Sequence, residues 1–268
     1  MRITILGGGT GGAAFLRDIA RIAALDVTLT AIVTTANDLY AYGLKSSPDL
    51  DAVLTTLSPG DASGTNVVHQ LRAFNVEPTW YDIDDRSIAL AIVRTEMMAS
   101  GYSLTDVTAA LKARMGIGVT VLPMSNDRIE NNVVITDGTD QRAVHVLEYL
   151  AKYADRPAEG FVPIGLDKAL ATTEAVKALA EADLVILGPS SPTLALEPIL
   201  SLPALYDTLT KSQAKVLGVP ASQPDHPGLA RAAGVAETAR EQFDHLVDRW
   251  ASGTAAEVLA TGRELIAQ

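Results

Sequence analysis

A chain of 268 residues with 48 % apolar and 20 % charged side chains can bury a sizeable core in a single α/β unit, and it is not a disordered, collagenous or coiled-coil protein. With 21 Lys and Arg against 32 Asp and Glu the formal charge is −11, which repels phosphate backbones and anionic lipid, so neither nucleic acid nor membrane is an expected partner. Cysteine is absent, which removes disulfides, thiolate zinc sites, Fe–S clusters and a Cys nucleophile; any metal must be held by carboxylates, His or carbonyls, and that favours a hard ion such as Mg²⁺.

The start, MRITILGGGTGG, lacks a basic n-region and a cleavage site. No window approaches the roughly 18 uninterrupted apolar residues of a membrane span, and a cytoplasmic protein is expected. Arg2 to Leu6 reads as a short β-branched strand that stops at a glycine cluster, and AAFLRDIARIAAL then repeats apolar residues at helical spacing. Val27 to Thr35 is a second β-rich run, so residues 2–35 form a βαβ unit and the two strands pair in parallel. Residues 49–115 read mostly as helix, a helical insertion or subdomain in an otherwise single α/β nucleotide-binding domain spanning 1–268; within it Ser103 and Asp106 make a capping box. Strand character returns at 119–124, 131–136, 182–192 and 214–220, all expected in the core sheet, and the part from Pro227 onward reads as nearly all helix. The expected fold is a doubly wound, mainly parallel, Rossmann-like sheet.

Gly7, Gly9 and Gly12 satisfy G-x-G-x-x-G between a strand and a helix, where glycines let backbone N–H groups approach a diphosphate; Thr10 adds a hydroxyl. A tight turn needed only for strand–helix packing gives the same letters. The second strand ends Val33-Thr34-Thr35 without the acid that a ribose would need, so NAD is disfavoured. Asp38 lies just past that strand end, where ligands bind in open α/β sheets, and Asp49 and Asp51 follow Ser47-Pro48. Ser47-Pro48-Asp49 is equally a good helix start, and on a regular helix Asp49 and Asp51 point about 200° apart, so they do not share one ion. Gly188-Pro189-Ser190-Ser191-Pro192, at a later strand end, offers hydroxyl and amide donors to a phosphate or base, or simply a helix cap. Arg94, on an Ala/Ile/Val helix, reads as a snorkelling or paired structural residue; Asn126 and Asp127 fit a strand-end turn; Trp80 and Tyr81 could stack on a planar ring but suit packing better. His69, His145, His226 and His245 have no metal-ligand spacing.

Taken in order, the Gly8–Gly11 loop, Thr34 to Asp38, the Tyr42-Gly43-Leu44 and Ser47-Pro48-Asp49-Leu50-Asp51 stretch, Asp85 to Glu96, Leu122 to Asp127 and Ala182 to Pro192 resemble the 2-phospho-L-lactate transferase family of coenzyme F420 biosynthesis. The resemblance implies transfer of a phospho-three-carbon acid (phospholactyl, phosphoenolpyruvyl or phosphoglyceryl) from a guanosine-diphosphate-activated donor to the terminal hydroxyl of 7,8-didemethyl-8-hydroxy-5-deazariboflavin (FO), with release of GMP. It further implies Mg²⁺ on Asp38, diphosphate at Gly8, Gly9, Thr10 and Gly11 and at Gly188, Pro189, Ser190 and Ser191, an acceptor proton taken by Asp49 or Asp51, and a homodimer.

Several positions depart from that pattern. Asn37 stands where the family has an acid, Ala91 where it usually has a His, and SPGDASG (58–64) and GVPASQPDHPG (218–228) are shortened. These departures motivate two alternatives: a non-catalytic nucleotide or nucleotide-sugar-binding regulator of the same superfamily, and a repurposed member with another donor or acceptor. An NAD-dependent oxidoreductase rests on the glycines alone.

Overall fold

The computed structural model describes residues 1–58, 60 and 63–268, so the 58–64 stretch lies partly outside the described residues. The chain opens with β1 (Arg2–Gly7), α1 (Gly9–Ile22) and β2 (Thr28–Val33), then makes a small hairpin from β3 (Leu39–Ala41) and β4 (Leu44–Ser46). Four helices follow: α2 (Pro48–Leu57), α3 (Asn66–Ala73), α4 (Asp85–Ala99) and α5 (Leu104–Arg114). After β5 (Thr120–Pro123) come β6 (Glu130–Asp137), β7 (Asp140–His145), α6 (Val146–Lys152), β8 (Gly160–Ile164), α7 (Thr173–Ala180) and β9 (Leu184–Leu187). A π-helical turn (Pro192–Leu196) leads into α8 (Glu197–Leu200), α9 (Pro203–Lys211) and β10 (Lys215–Gly218), and the chain closes with α10 (Pro227–Ala233), α11 (Ala239–Phe243), β11 (Arg249–Trp250) and α12 (Ala255–Ile266). No helix among the described residues is long and apolar enough to cross a membrane.

Six strands form one sheet in the order β11-β10-β9-β1-β2-β5, every pair parallel. Its central strands are apolar on both faces, as a sheet covered on both sides requires. Ile3, Ile5, Leu184 and Ile186 pack with residues of α1, α2, α5 and α12, whereas Leu6, Val185 and Leu187 pack with α7, α8 and α9. The doubly wound α/β fold expected from the sequence is therefore present, and Leu50, Leu54, Leu90, Leu104 and Val107 from the 49–115 stretch belong to the first of these cores.

Two expectations are corrected. Residues 131–136 are apolar enough for a core strand, but they lie in β6 at the centre of a separate antiparallel sheet, β7-β6-β8. A continuous apolar run does not distinguish the two sheets, because both bury that segment. The C-terminal part is also not helical throughout: Arg249–Trp250 adds the edge strand β11 beside β10.

Strand order places the topological switch between β1 and β9. From β1 the chain winds through β2 to β5 on one side, and from β9 it winds through β10 to β11 on the other. The loops leaving β1 and β9 therefore diverge and leave a crevice at the carboxyl ends of the strands, where open α/β sheets bind ligands.

Candidate active site

The glycine loop after β1 is shaped by side chains remote in sequence. Ser190 Oγ accepts from Gly8 N and donates to Gly8 O, both at 3.1 Å, tying the loop after β9 to the loop after β1. A Cβ at Gly7 or Gly12 would overlap that hydroxyl, and one at Gly8 would meet the Asp49 carboxylate and the Thr34 methyl. Gly9, at φ +67°, begins α1, and its N–H donates to Asp49 Oδ1 at 2.6 Å. The glycines thus admit both Ser190 and Asp49, and the exposed Thr10 and Gly11 carry further N–H groups of a helix N-terminus toward solvent.

Beyond β2 the Tyr42-Gly43 pair turns the β3–β4 hairpin with φ positive at both residues (+56° and +73°), the requirement of a two-residue I′ turn. The Tyr42 hydroxyl lies 2.8 Å from Pro78 O and 3.0 Å from Tyr81 O, which anchors the unusual conformation to the 78–81 segment. The returning strand brings Lys45 and Ser47 back to Asp38: Lys45 Nζ lies 3.0 Å from Asp38 Oδ2, and Ser47 Oγ donates to the same oxygen at 2.9 Å. Ser47 therefore precedes Pro48 at the head of α2 as expected, but its hydroxyl serves Asp38 and caps nothing.

Asp49 and Asp51 diverge from α2 as their spacing requires. Asp49 Oδ2 accepts from Asn37 Nδ2 at 2.9 Å, and Asp51 forms a two-pronged pair with Arg94 of α4, whose Nη1 also donates to Lys45 O at 3.2 Å. Arg94 is 1 % exposed, so the paired structural reading of that residue holds. Three carboxylates and two cations are thereby gathered out of water beside the glycine loop. Burial pushes all three carboxyls up from their ordinary range, against Lys45 at Asp38 and Arg94 at Asp51; Asp49 is pushed up to about 6 by burial, against hydrogen bonds from Asn37 and Gly9 and with the Asp38 charge adding to the rise.

That shift has a definite sign in stability. Folded Asp49 holds its proton more tightly than unfolded Asp49, so its contribution is complete below 3.8 and is lost as the pH rises through about 6. At about 1.4 kcal/mol per pH unit the difference amounts to about 3 kcal/mol. Asp49→Ala should therefore cost about 2 kcal/mol more in urea unfolding at pH 4, where the unfolded carboxyl is already partly ionised, than at pH 7. Equal costs at the two pH values would contradict this assignment.

A cleft of about 610 Å³ opens from Thr10 along Pro48, Asp51 and Thr55 of α2 to Trp80, Tyr81 and Ile83 opposite, with Leu147 and Leu150 of α6 closing one side. Trp80 and Tyr81 are tilted rings 5.5 Å apart, so the pair given to packing also forms a wall of this cleft. The acids lining it are Asp51, Asp82 and Asp84, and no Lys or Arg lines it among the described residues.

The remaining motif residues serve the scaffold. Asn126 Oδ1 accepts from Thr105 N and Asp127 Oδ2 from Leu170 N, which makes them the strand-end turn that their letters suggested. Ser191 caps the π-helical turn by accepting from Leu194 N and donates to Asp225 Oδ2 at 2.8 Å, so the shortened 218–228 segment itself supplies a carboxylate to the second loop. Sequence reasoning missed Lys45 and Asn131: each is carried into the site by a strand whose pairing no motif announces.

A doubly wound α/β protein with a glycine loop at its switch point, a carboxylate cluster beside it and a partly aromatic cleft has its candidate site where open α/β sheets bind ligands. The chain belongs to the family described as 2-phospho-L-lactate transferase CofD, which matches residues 3–261. It is 38 % identical to a phosphoenolpyruvate transferase of Mycobacterium marinum over 81 % of this chain and 73 % of that one. It is 36 % identical to a phosphoenolpyruvate transferase of Streptomyces griseus over 98 % and 90 % of the two chains. A crystal structure of a member of the UPF0052 family from Bacillus halodurans superposes with a TM-score of 0.63 at 19 % identity, covering 94 % of this chain and 80 % of that one, which establishes shared fold.

Proposed function

We propose that the protein transfers a phospho-three-carbon acid, with phosphoenolpyruvate favoured by the names of its relatives, from a guanosine-diphosphate-activated donor to the terminal hydroxyl of FO in coenzyme F420 biosynthesis, releasing GMP. The observation that carries it is that a single cleft is lined both by Thr10 of the glycine loop, suited to a diphosphate, and by Trp80 and Tyr81, suited to a flat tricyclic ring. In this reading the acceptor hydroxyl attacks the phosphorus of the three-carbon acid phosphate, the anhydride bond to GMP breaks, and a phosphodiester remains. In the same reading Asp51, which lines the cleft and is paired with Arg94, takes the hydroxyl proton. Asp49 faces the loop amide of Gly9 and keeps the N-terminus of α1 aimed at the diphosphate.

In this reading a single protein carboxylate, Asp38, would hold Mg²⁺. Asp38 Oδ1 is buried without a hydrogen-bond partner, while Oδ2 is held by Lys45 and Ser47. No group of three His, Asp or Glu residues arranged for a metal occurs among the described residues, and Mg²⁺ characteristically takes one or two carboxylates with substrate phosphates and water supplying the rest. Bound there, the ion would neutralise charge on the transferring phosphoryl group. With three acids and no basic residue among the described residues lining the cleft, such neutralisation is needed. A homodimer working in the cytoplasm belongs to the same proposal. The reading is tested by GMP release that depends on FO; nucleotide binding without such release would support the regulator instead.

A further inference from the structure

Asn131, at the start of β6, is fully buried and lines no part of the cleft. Its Nδ2 donates to Asn37 Oδ1 at 3.0 Å. Asn37 Nδ2 in turn donates to Asp49 Oδ2 at 2.9 Å and to Leu194 O at 3.0 Å, and Asp49 Oδ1 accepts from Gly9 N at 2.6 Å. The direction of this chain is fixed chemically: both partners of Asn37 Nδ2 are oxygens of a carboxylate and a carbonyl, so the Asn37 oxygen must face the Asn131 amide donor. The backbone reinforces it, because Asn131 N donates to Ala36 O at 2.7 Å.

Two features show that Asn131 is not there for packing. Its Oδ1 is buried without a partner, so the core bears the desolvation of half an amide at this position. At the other end, Gly9 sits at a positive φ with no neighbouring atom within 4 Å of where a Cβ would stand, so sterics do not hold it, and glycine has little conformational preference of its own. The hydrogen bond that its N–H donates to the fixed Asp49 carboxylate restrains the first residue of α1, beside the Ser190 contacts to Gly8.

We propose that Asn131 is a positioning residue for the glycine loop: through Asn37 it orients the Asp49 carboxylate, and Asp49 fixes Gly9 so that the Thr10 and Gly11 N–H groups face an incoming nucleoside diphosphate. This inference rests on the proposed donor site, and it adds a residue from the second sheet to that site. The antiparallel β7-β6-β8 sheet thereby becomes the support against which the loop is held.

The test uses Asn131→Leu, which keeps the branched outline of the side chain without its donor, with Asn131→Ala and Asn37→Ala beside it. Urea unfolding of the leucine variant should stay near that of the natural chain, since the orphaned Asn131 oxygen is removed while Asn37 Oδ1 loses its donor. Amide hydrogen exchange at Gly9 should nevertheless rise about tenfold, as expected for loss of one hydrogen bond to a charged group, while Gly188, whose N–H donates to Leu6 O, stays protected. GDP affinity by calorimetry should fall about tenfold, and the Asn37→Ala/Asn131→Ala double variant should match Asn37→Ala alone. Unchanged Gly9 exchange in a folded variant, or additive effects in the double variant, would overturn the proposal. If the leucine variant does not fold, the exchange and additivity results from the alanine variants decide. Faster Gly9 exchange in a protein whose natural form binds no GDP would uphold the positioning role and overturn the donor site instead.

Discussion

Arg94→Ala is expected to lower the free energy of unfolding by about 3–5 kcal/mol, a large share of what a domain of this size possesses. The guanidinium is 1 % exposed and its carboxylate partner Asp51 is 2 % exposed, so truncation leaves a buried charge with no counter-ion and a void where the side chain lay. The pair is not thereby a large net stabiliser: burial already pushes Asp51 up despite Arg94, which means desolvation outweighs attraction. Arg94→Met combined with Asp51→Leu should consequently recover most of the loss in urea unfolding, while abolishing any proton transfer that Asp51 performs. A loss below about 1 kcal/mol for Arg94→Ala would mean that water reaches the pair and that α4 does not brace α2 as described.

Asp38→Asn is expected to reduce turnover by about 10²–10³-fold, the equivalent of several kcal/mol of charge stabilisation in the transition state. The amide keeps an oxygen for Lys45 and Ser47, so the hairpin contact survives in weakened form, whereas alanine would strand the Lys45 ammonium. What asparagine removes is a charged ligand at the Oδ1 position, the one carboxylate oxygen of the cluster without a partner. Circular dichroism at the assay temperature separates the loss from unfolding. A folded Asp38→Asn protein with turnover within tenfold of the natural chain would end the metal role of Asp38.

Much of this architecture is legible in the letters because it is local. Arg2 to Val33 declares a βαβ unit by periodicity and glycine placement, and the divergence of Asp49 and Asp51 follows from helical geometry before any coordinates exist. The role of the glycines was legible only by half. Their approach to a phosphate is a property of the motif, but their accommodation of Ser190 and Asp49 depends on residues 182 and 40 positions away. Lys45 and Asn131 left no local signal at all. Lys45 reaches Asp38 because a positive-φ Tyr42-Gly43 turn reverses the chain, and a tyrosine at such a position is not a usual turn letter. Asn131 reaches Asn37 because β6 belongs to a second sheet, and the apolar run that follows it fits either sheet equally well.

Asn37 itself illustrates how a departure from a family pattern is absorbed. Read from the sequence it is a missing acid; in the fold its amide donates to Asp49 and to Leu194 O, both of which a carboxylate would repel. The surroundings are thus matched to an amide, and the site keeps Asp38, Asp49 and Asp51 in separate hydrogen-bonded settings.

The most direct test of the transferase reading is to incubate the natural chain with enolpyruvyl-diphosphoguanosine and Mg²⁺, with and without FO, and to follow GMP by liquid chromatography and the deazaflavin by mass spectrometry. The account predicts GMP only when FO is present, in equal amount to a deazaflavin phosphodiester carrying the three-carbon acid. GMP formed at the same rate without FO, or no GMP in either mixture, would contradict it.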